Sequence, residues 1–322
     1  MQIDMFHRIV ARAALAPSVH NIQPARWRLQ GGALLIGCDF GTTLAAGDPL
    51  GLDAALSTGA AVEATVPALA EAGQGATVTP LWQQDDRAAM PGCRLAARIV
   101  PGPLVALPPL AGLLGQRFTH RGGFGPGLPG DWRPGDAVLF TSAADKAWIA
   151  ALGDRAGLAQ MRLRPVRAEL LHWMRLSPRH PRHASDGMSR AALRLGPVTA
   201  FAAGLALGPL WPMLDRLGLS GALTAEAGAT TSATVIAAIH RPLTEDRIAM
   251  GRAWLRLCLT ATARGWAMWP MAALTDDPSA RAVLDRRLGL PTDRVLVQVV
   301  RFGPATAAAP PRARRAVADL IV

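Results

Sequence analysis

The 322-residue sequence predicts an α+β fold in which two degenerate copies of one unit are fused in a single chain. A helix signal closed by glycine occurs in each part of the chain, at Gly73 and at Gly265. Each glycine is followed by a short proline-containing apolar run, Ala76 to Trp82 in the first copy and Trp266 to Leu274 in the second. A strand pattern then closes each copy, Arg94 to Val100 and Arg294 to Phe302. This order divides the chain into halves of residues 1–104 and 105–322, the second interrupted by an insertion at about 177–226.

The individual elements rest on local chemistry. Gly31-Gly32 between Trp27–Gln30 and Ala33–Cys38 is a two-residue hairpin signal. Asp48 as N-cap with Pro49 in the first helical position opens a helix that carries Leu52, Leu56, Val62, Val66 and Leu69, and Pro67 is expected to bend it near its end. Thr244 as N-cap, with Glu245 and Asp246 in the first turn, opens the second helix, which carries Ile248, Gly251, Leu255, Cys258 and Thr262 on one face. Alternation of Leu95, Ala97 and Ile99 marks a half-buried strand, whereas the near-continuous Val295, Leu296, Val297, Val299 and Val300 mark one buried on both faces.

Half of the residues are hydrophobic, enough for a substantial core, so disorder is excluded for the chain as a whole. The net charge of +11 comes from 34 basic against 23 acidic residues, and every basic residue but Lys146 is an arginine. These arginines are scattered, with no basic stripe interleaved with aromatics, which argues against nucleic acid as a partner. The uncharged stretch Leu195 to Leu214 is long enough to cross a bilayer, yet it holds three prolines and three glycines. It therefore reads as an apolar flap or core helix rather than a membrane span. Cys38, Cys93 and Cys258 lack metal-type or disulfide-framework spacing, and Asp4, Arg8 and Arg12 interrupt the stretch a secretory signal would keep apolar. A cytoplasmic location is the expectation.

Two segments concentrate polar chemistry. Ala16-Pro17-Ser18-Val19-His20-Asn21-Ile22-Gln23-Pro24 packs Ser, His, Asn and Gln into six residues, and such amides suit the edge of a heteroaromatic ring that presents donors and acceptors together. An ordinary capped loop is the competing reading. Arg117-Phe118-Thr119-His120-Arg121 places a hydroxyl between two guanidiniums, a set able to converge on a phosphate, although a solvated basic turn has the same composition. Arg312-Ala313-Arg314-Arg315 is either a third basic cluster or a plain charged terminus. His172, His180 and His183 lie in a proline-broken segment with only Glu169 and Asp186 nearby, so no metal site is expected. Gly125 to Gly130 matches a dinucleotide fingerprint by letter alone, since it contains two prolines and follows no strand.

Taken together, APSVHNIQP, RFTHRGGF, ARGWAMWPMAAL, VQVVRFG and PRARRAV resemble, in order and spacing, the FMN-dependent nitroreductase family, and within it the twin-domain Acg-like branch. The resemblance implies a nitroreductase-like fold whose two fused halves mimic the family's homodimer, so the chain is expected to be a monomer or a weak dimer. It implies one FMN site, because the first half lacks the basic R-x-S/T-x-R segment and the second lacks the PSxxNxQP loop. Arg117, Thr119 and Arg121 would hold the phosphate and ribityl end, with Arg312 and Arg314 at the family's carboxyl-terminal basic pair. Ser18, His20, Asn21 and Gln23 would approach the ribityl chain and ring, and backbone groups of Pro270, Met271 and Ala272 would face the isoalloxazine. In the family a tryptophan follows the loop's proline directly, whereas here Ala25 and Arg26 intervene before Trp27. The insertion, with Asp186-Gly187-Met188 and the apolar stretch beyond it, looks like the branch's lid over the flavin. The implied activity is flavin-borne oxidoreduction with NAD(P)H and a small electron acceptor, and with no catalytic side chain. The alternative is an FMN-sequestering protein with little turnover.

Overall fold

The computed structural model describes residues 1–104 and 106–322. The expected division at residues 104 and 105 touches Val105, which lies outside the described residues. The fold is mixed α and β. Helix α1 (Ile3–Ala13) buries Phe6, Ile9, Val10 and Ala13, the one-face spacing of an amphipathic helix. The hairpin follows as β1 (Ala25–Gln30) and β2 (Ala33–Asp39), and the turn holds Gly31 and Gly32 at φ of 55° and 78°, where a side chain would strain the backbone. Helix α2 (Leu52–Glu71) leads to β3 (Gln74–Pro80) and β4 (Cys93–Pro103).

The rest of the chain begins its sheet with β5 (Ala137–Phe140), followed by α3 (Ala143–Arg162) and α4 (Arg164–Trp173). Next come the short β6 (Met174–Arg175) and β7 (Met188–Ser189), then α5 (Pro197–Leu207), α6 (Trp211–Arg216), α7 (Ser220–Thr224) and α8 (Ala227–Ser232). Strand β8 (Val235–Pro242), α9 (Arg247–Ala263), β9 (Trp266–Pro270), α10 (Ala273–Asp276), α11 (Pro278–Leu288) and β10 (Arg294–Pro304) complete the order.

Two four-stranded antiparallel sheets result, ordered β1-β2-β4-β3 and β5-β8-β10-β9. Each runs from an edge strand to its neighbour, through a long helix (α2 or α9) to the far edge, and returns to the gap. Helices α2 and α9 pack on each other inside the main core. They approach most closely at Gly59 and Gly251. A Cβ on Gly59 would fall on the Ile248 carbonyl oxygen and 2.9 Å from the Gly251 Cα, while one on Gly251 would fall on the Leu56 carbonyl oxygen and 2.9 Å from the Gly59 Cα. The reciprocity is that of a local two-fold crossing.

Both long helices start later than their sequence signals suggest. Asp48 is not the N-cap of α2. Gly51 is, and the Asp48 carboxylate accepts from the amides of Leu52, Asp53 and Ala54, satisfying the first-turn donors from four residues upstream. Pro49 therefore lies outside the helix. In α9 the cap is Asp246 rather than Thr244, accepting from the Ala249 amide at 2.9 Å. The apolar stretch Leu195 to Leu214 is broken by Gly208 into α5 and α6, and among the described residues no helix is long and apolar enough to cross a membrane. The carboxyl-terminal tail crosses to the other sheet, where Ile321 bridges Trp27 and Leu320 enters the core.

Candidate functional site

A cavity of about 610 Å³ opens between the first turn of α2, the 117–121 segment, the end of β9 and the helices of the insertion. Its size falls in the ~300–1,000 Å³ range of cofactor and small-molecule sites. Ser18, His20, Arg117, Thr119, Arg121, Pro270, Met271 and Ala272 all line it. Segments separated by some 250 residues in sequence thus meet around one volume.

The 117–121 segment is positioned by backbone pairing. Thr119 makes a parallel bridge with Met268, and the His120 amide donates to the Met268 carbonyl at 2.9 Å, which lays the segment along the edge strand β9. Arg117 is buried, its Nε has no partner, and burial brings its pKa down to about 10, so the guanidinium stays cationic at neutral pH. Arg121 is likewise lowered to about 10 by burial, and it reaches only the Ala192 carbonyl and the Met188 sulfur. Neither makes an ion pair with a carboxylate among the described residues, although the charge of Glu226 partly offsets the burial of Arg121. Buried cations without counter-ions are costly unless an anion completes them.

Arg312 and Arg314 extend this cationic end without lining the cavity. Arg312 Nη2 donates to the carbonyls of Gly115 and Arg117, fixing the start of the segment. Arg314 stands near Arg117 and is lowered to about 9, first by burial and then by the charges of Arg117 and Arg312. Its Nε too is buried and unpartnered.

The Ser18–Gln23 loop is strained. His20, Asn21 and Gln23 hold φ of 43°, 58° and 55°, left-handed values that ordinary residues rarely adopt. Burial, with a smaller contribution from Arg121, pulls His20 down to about 4, so a neutral imidazole faces the cavity. Asn21 and Gln23 do not reach the cavity wall. The Asn21 amide donates to the carbonyls of Gly187 and Ala313, and its oxygen accepts from Arg314. Gln23 donates to the Ser185 carbonyl at 2.8 Å and accepts from the Arg315 amide at 3.0 Å. These two amides tie the loop to the insertion and to the tail. At the β9 end, the Met271 amide donates to the Val299 carbonyl and Pro270 has no N–H.

Several cavity residues lie outside the two polar segments and the basic tail, Gln298 and Arg301 among them within VQVVRFG. Arg301 and Gln298 come from β10, Glu226 from the end of the insertion, Trp254 from α9, and Asp53 and Asp276 from the first turn of α2 and the end of α10. A lone arginine in the valine run of β10 is a readable signal, because a strand buried on both faces has no solvent for a charge. Asp53 is raised to about 6 by burial and then by Asp48, and Asp276 to about 7 by burial and then by Asp53. The cavity therefore gathers cations around the 117–121 segment and, near the start of α2, carboxyls that release their protons at higher pH than ordinary carboxylates. From the insertion, Met188, Leu193, Leu195, Ala203, Leu207 and Leu223 form an apolar wall. No group of three or more potential metal ligands occurs among the described residues.

No known protein-family profile matches the sequence, and no curated protein matches it. Among solved structures, the chain is similar to the FMN-dependent nitroreductase NfnB from Mycobacterium smegmatis in complex with NADPH, at 20% identity and a TM-score of 0.33, over 60% of this chain and 86% of that one. It is also similar to a point mutant of the FMN and NADPH-dependent nitroreductase NfnB derived from sphigopyxis sp. strain HMH. There the identity is 18% and the TM-score 0.33, over 61% of this chain and 88% of the other.

Proposed function

We propose that the chain is an FMN-binding, nitroreductase-like oxidoreductase of the twin-domain Acg-like type. Its single flavin site lies between two degenerate halves, residues 1–104 and 105–322, under a lid formed by the insertion at about 177–226. The observation that carries this reading is the convergence on one cavity of Arg117, Thr119 and Arg121 from one half with Ser18 and His20 from the other. The unpartnered Nε of Arg117, with the charge of Arg314 behind it, fits an anionic group, and the hydroxyl of Thr119 adds a donor between the guanidiniums of its segment. A phosphate held there leaves the rest of the cavity, with its tryptophans and methionines, for an apolar ring.

When bound, FMN supplies hydride and electron transfer. The protein's part is binding, orientation and exclusion of water. Arg117, Arg121 and the adjoining Arg312 and Arg314 provide fixed positive charge. Neutral His20 offers a nitrogen donor or acceptor without adding charge beside Arg121. The Asn21 and Gln23 tethers couple the loop to both the insertion and the tail, so the strained backbone keeps one geometry.

Titrating FMN into the purified chain tests the reading: one FMN per chain is expected, with riboflavin bound far more weakly. Two flavins per chain, or equal affinity for riboflavin, would contradict it. The apolar wall contributed by the insertion favours a second reading, an FMN-sequestering protein with little turnover. Anaerobic mixing with NADH or NADPH separates the two, since bleaching at a useful rate requires that a donor reach the ring.

A further inference from the structure

Arg301 is placed where a strand side chain should be apolar. It is 1% exposed, its guanidinium stacks 4.3 Å from the centroid of the Trp269 ring, and among the described residues its only side-chain hydrogen bond is from Nη2 to the Glu226 carboxylate. Nε and Nη1 have no partner. All three residues line the cavity, together with Gln298.

The two members of this ion pair are unequal. Arg301 is held on β10, buried against Trp269, and cannot leave, so its guanidinium requires an anion in place. Glu226 is 43% exposed and can turn into water at little cost. Its backbone is pinned, because the amide donates to Asp154 at 2.8 Å and the carbonyl accepts from Thr230, so the side chain alone is free to swing. A permanently buried cation with a detachable carboxylate has the chemistry of a ligand site filled by an internal substitute.

We propose that Arg301 is a second anion subsite of the cavity, gated by Glu226, which receives the carboxylate of a small reactant. The guanidinium enters from the sheet rather than from the 117–121 segment, and its counter-ion belongs to the insertion. A planar carboxylate replaces Glu226 like for like, while the Trp269 indole backs the guanidinium and limits approach to its edge. Displaced from Arg301, Glu226 no longer ties the end of the insertion to β10. Only the word reactant rests on the oxidoreductase reading; the binding site does not require flavin.

The test is calorimetric titration of the full chain with benzoate, with benzamide as the uncharged match and inorganic phosphate as the competing oxyanion. Glu226→Gln removes the internal competitor and is expected to tighten benzoate about tenfold, the scale of a hydrogen bond to a charged group. Arg301→Met is expected to abolish benzoate binding while leaving FMN affinity within about twofold. Benzamide is expected to bind neither protein measurably. Benzoate affinity unchanged or weakened in Glu226→Gln overturns the gate, and inorganic phosphate binding that tightens in Glu226→Gln and is lost in Arg301→Met overturns the carboxylate assignment. Loss of FMN rather than benzoate in Arg301→Met places Arg301 in the flavin clamp and ends the proposal. If Arg301→Met does not fold, Glu226→Gln and Glu226→Ala decide together: equal benzoate affinity in both variants and the parent overturns it. A chain that binds benzoate in this pattern but not FMN rejects the flavin reading alone.

Discussion

The sheet β1-β2-β4-β3 and the sheet β5-β8-β10-β9 follow the same path, yet they contribute different things to the cavity. The first supplies a strained loop, Ser18 and His20, and one acidic helix start. The second supplies the cationic segment 117–121, the edge strand β9 and the central Arg301. Gly59 and Gly251 stand 192 residues apart, as do Gly73 and Gly265, and both pairs occupy matching places on α2 and α9. The helix crossing and the two sheets share a two-fold relation that the cavity residues do not follow. Packing depends on backbone spacing and tolerates little change, whereas a site needs each group only once.

The largest expected effect comes from the crossing itself. Gly59→Ala and Gly251→Ala each drive a methyl into the partner helix's backbone, which cannot give way as a side chain can. Each is expected to cost about 3 kcal/mol, the upper end for overpacking, and the two costs are expected to agree within about 0.5 kcal/mol. Urea unfolding measures both. A difference of about 2 kcal/mol would show that the crossing is not a true two-fold.

Next is the proposed phosphate clamp of the 117–121 segment. Arg121→Ala is expected to weaken FMN by about 1.5–3 kcal/mol, or roughly 10- to 100-fold, and to leave riboflavin nearly unchanged. Flavin fluorescence titration reads both ligands. Equal losses would make Arg121 a structural residue that holds the insertion through Ala192 and Met188.

Asn21→Ala probes the Ser18–Gln23 loop. The change removes two donated bonds and one accepted from Arg314, in a residue whose φ of 58° suits asparagine better than alanine. Stability is expected to fall by about 2 kcal/mol, with FMN and riboflavin affinities falling in parallel, because Asn21 holds the loop and touches no phosphate. A loss confined to FMN would instead place Asn21 at the phosphate end.

The hairpin, the helix ends and the central strand were legible because the Gly-Gly turn, the glycine stops and the valine-rich run each have a local cause. The helix starts were less so: Asp48 reaches the α2 amides from upstream of an intervening turn, which no one-residue capping rule anticipates. Helix α3 carried a signal that went unused, Ser142 with Asp145 three residues on, and the hydroxyl does accept from the Asp145 amide. Residues 117–121 and 18–20 could be picked from composition. Arg301 could have been read from its valine-rich surroundings, whereas Glu226 is given meaning only by the fold that brings it onto β10, 75 residues further along the chain.

The smallest effect concerns the acids at the two helix starts. Asp53 stands 192 residues before Glu245, but their surroundings diverge: Glu245 accepts two 2.6 Å bonds from Arg241, while Asp53 faces the cavity beside Asp48 with no hydrogen-bonded arginine. Burial, then Asp48, raises Asp53 to about 6 from a model-peptide value near 3.8. The folded protein therefore binds this proton more tightly than the unfolded chain does. The resulting stabilisation is fully present below about pH 4 and is lost as pH rises through about 6. Asp53→Asn, which keeps a neutral group of the same shape, is expected to leave stability unchanged at pH 4. At pH 8 it is expected to raise stability by about 1 kcal/mol, discounted for water in the cavity. Glu245→Gln is expected to lower stability at pH 8 by about 0.5–1 kcal/mol through loss of its paired arginine. Urea midpoints at pH 4, 6 and 8 compare the two. Matching signs at pH 8 would mean that Asp53 is solvated as an ordinary carboxylate and that the acids have not diverged.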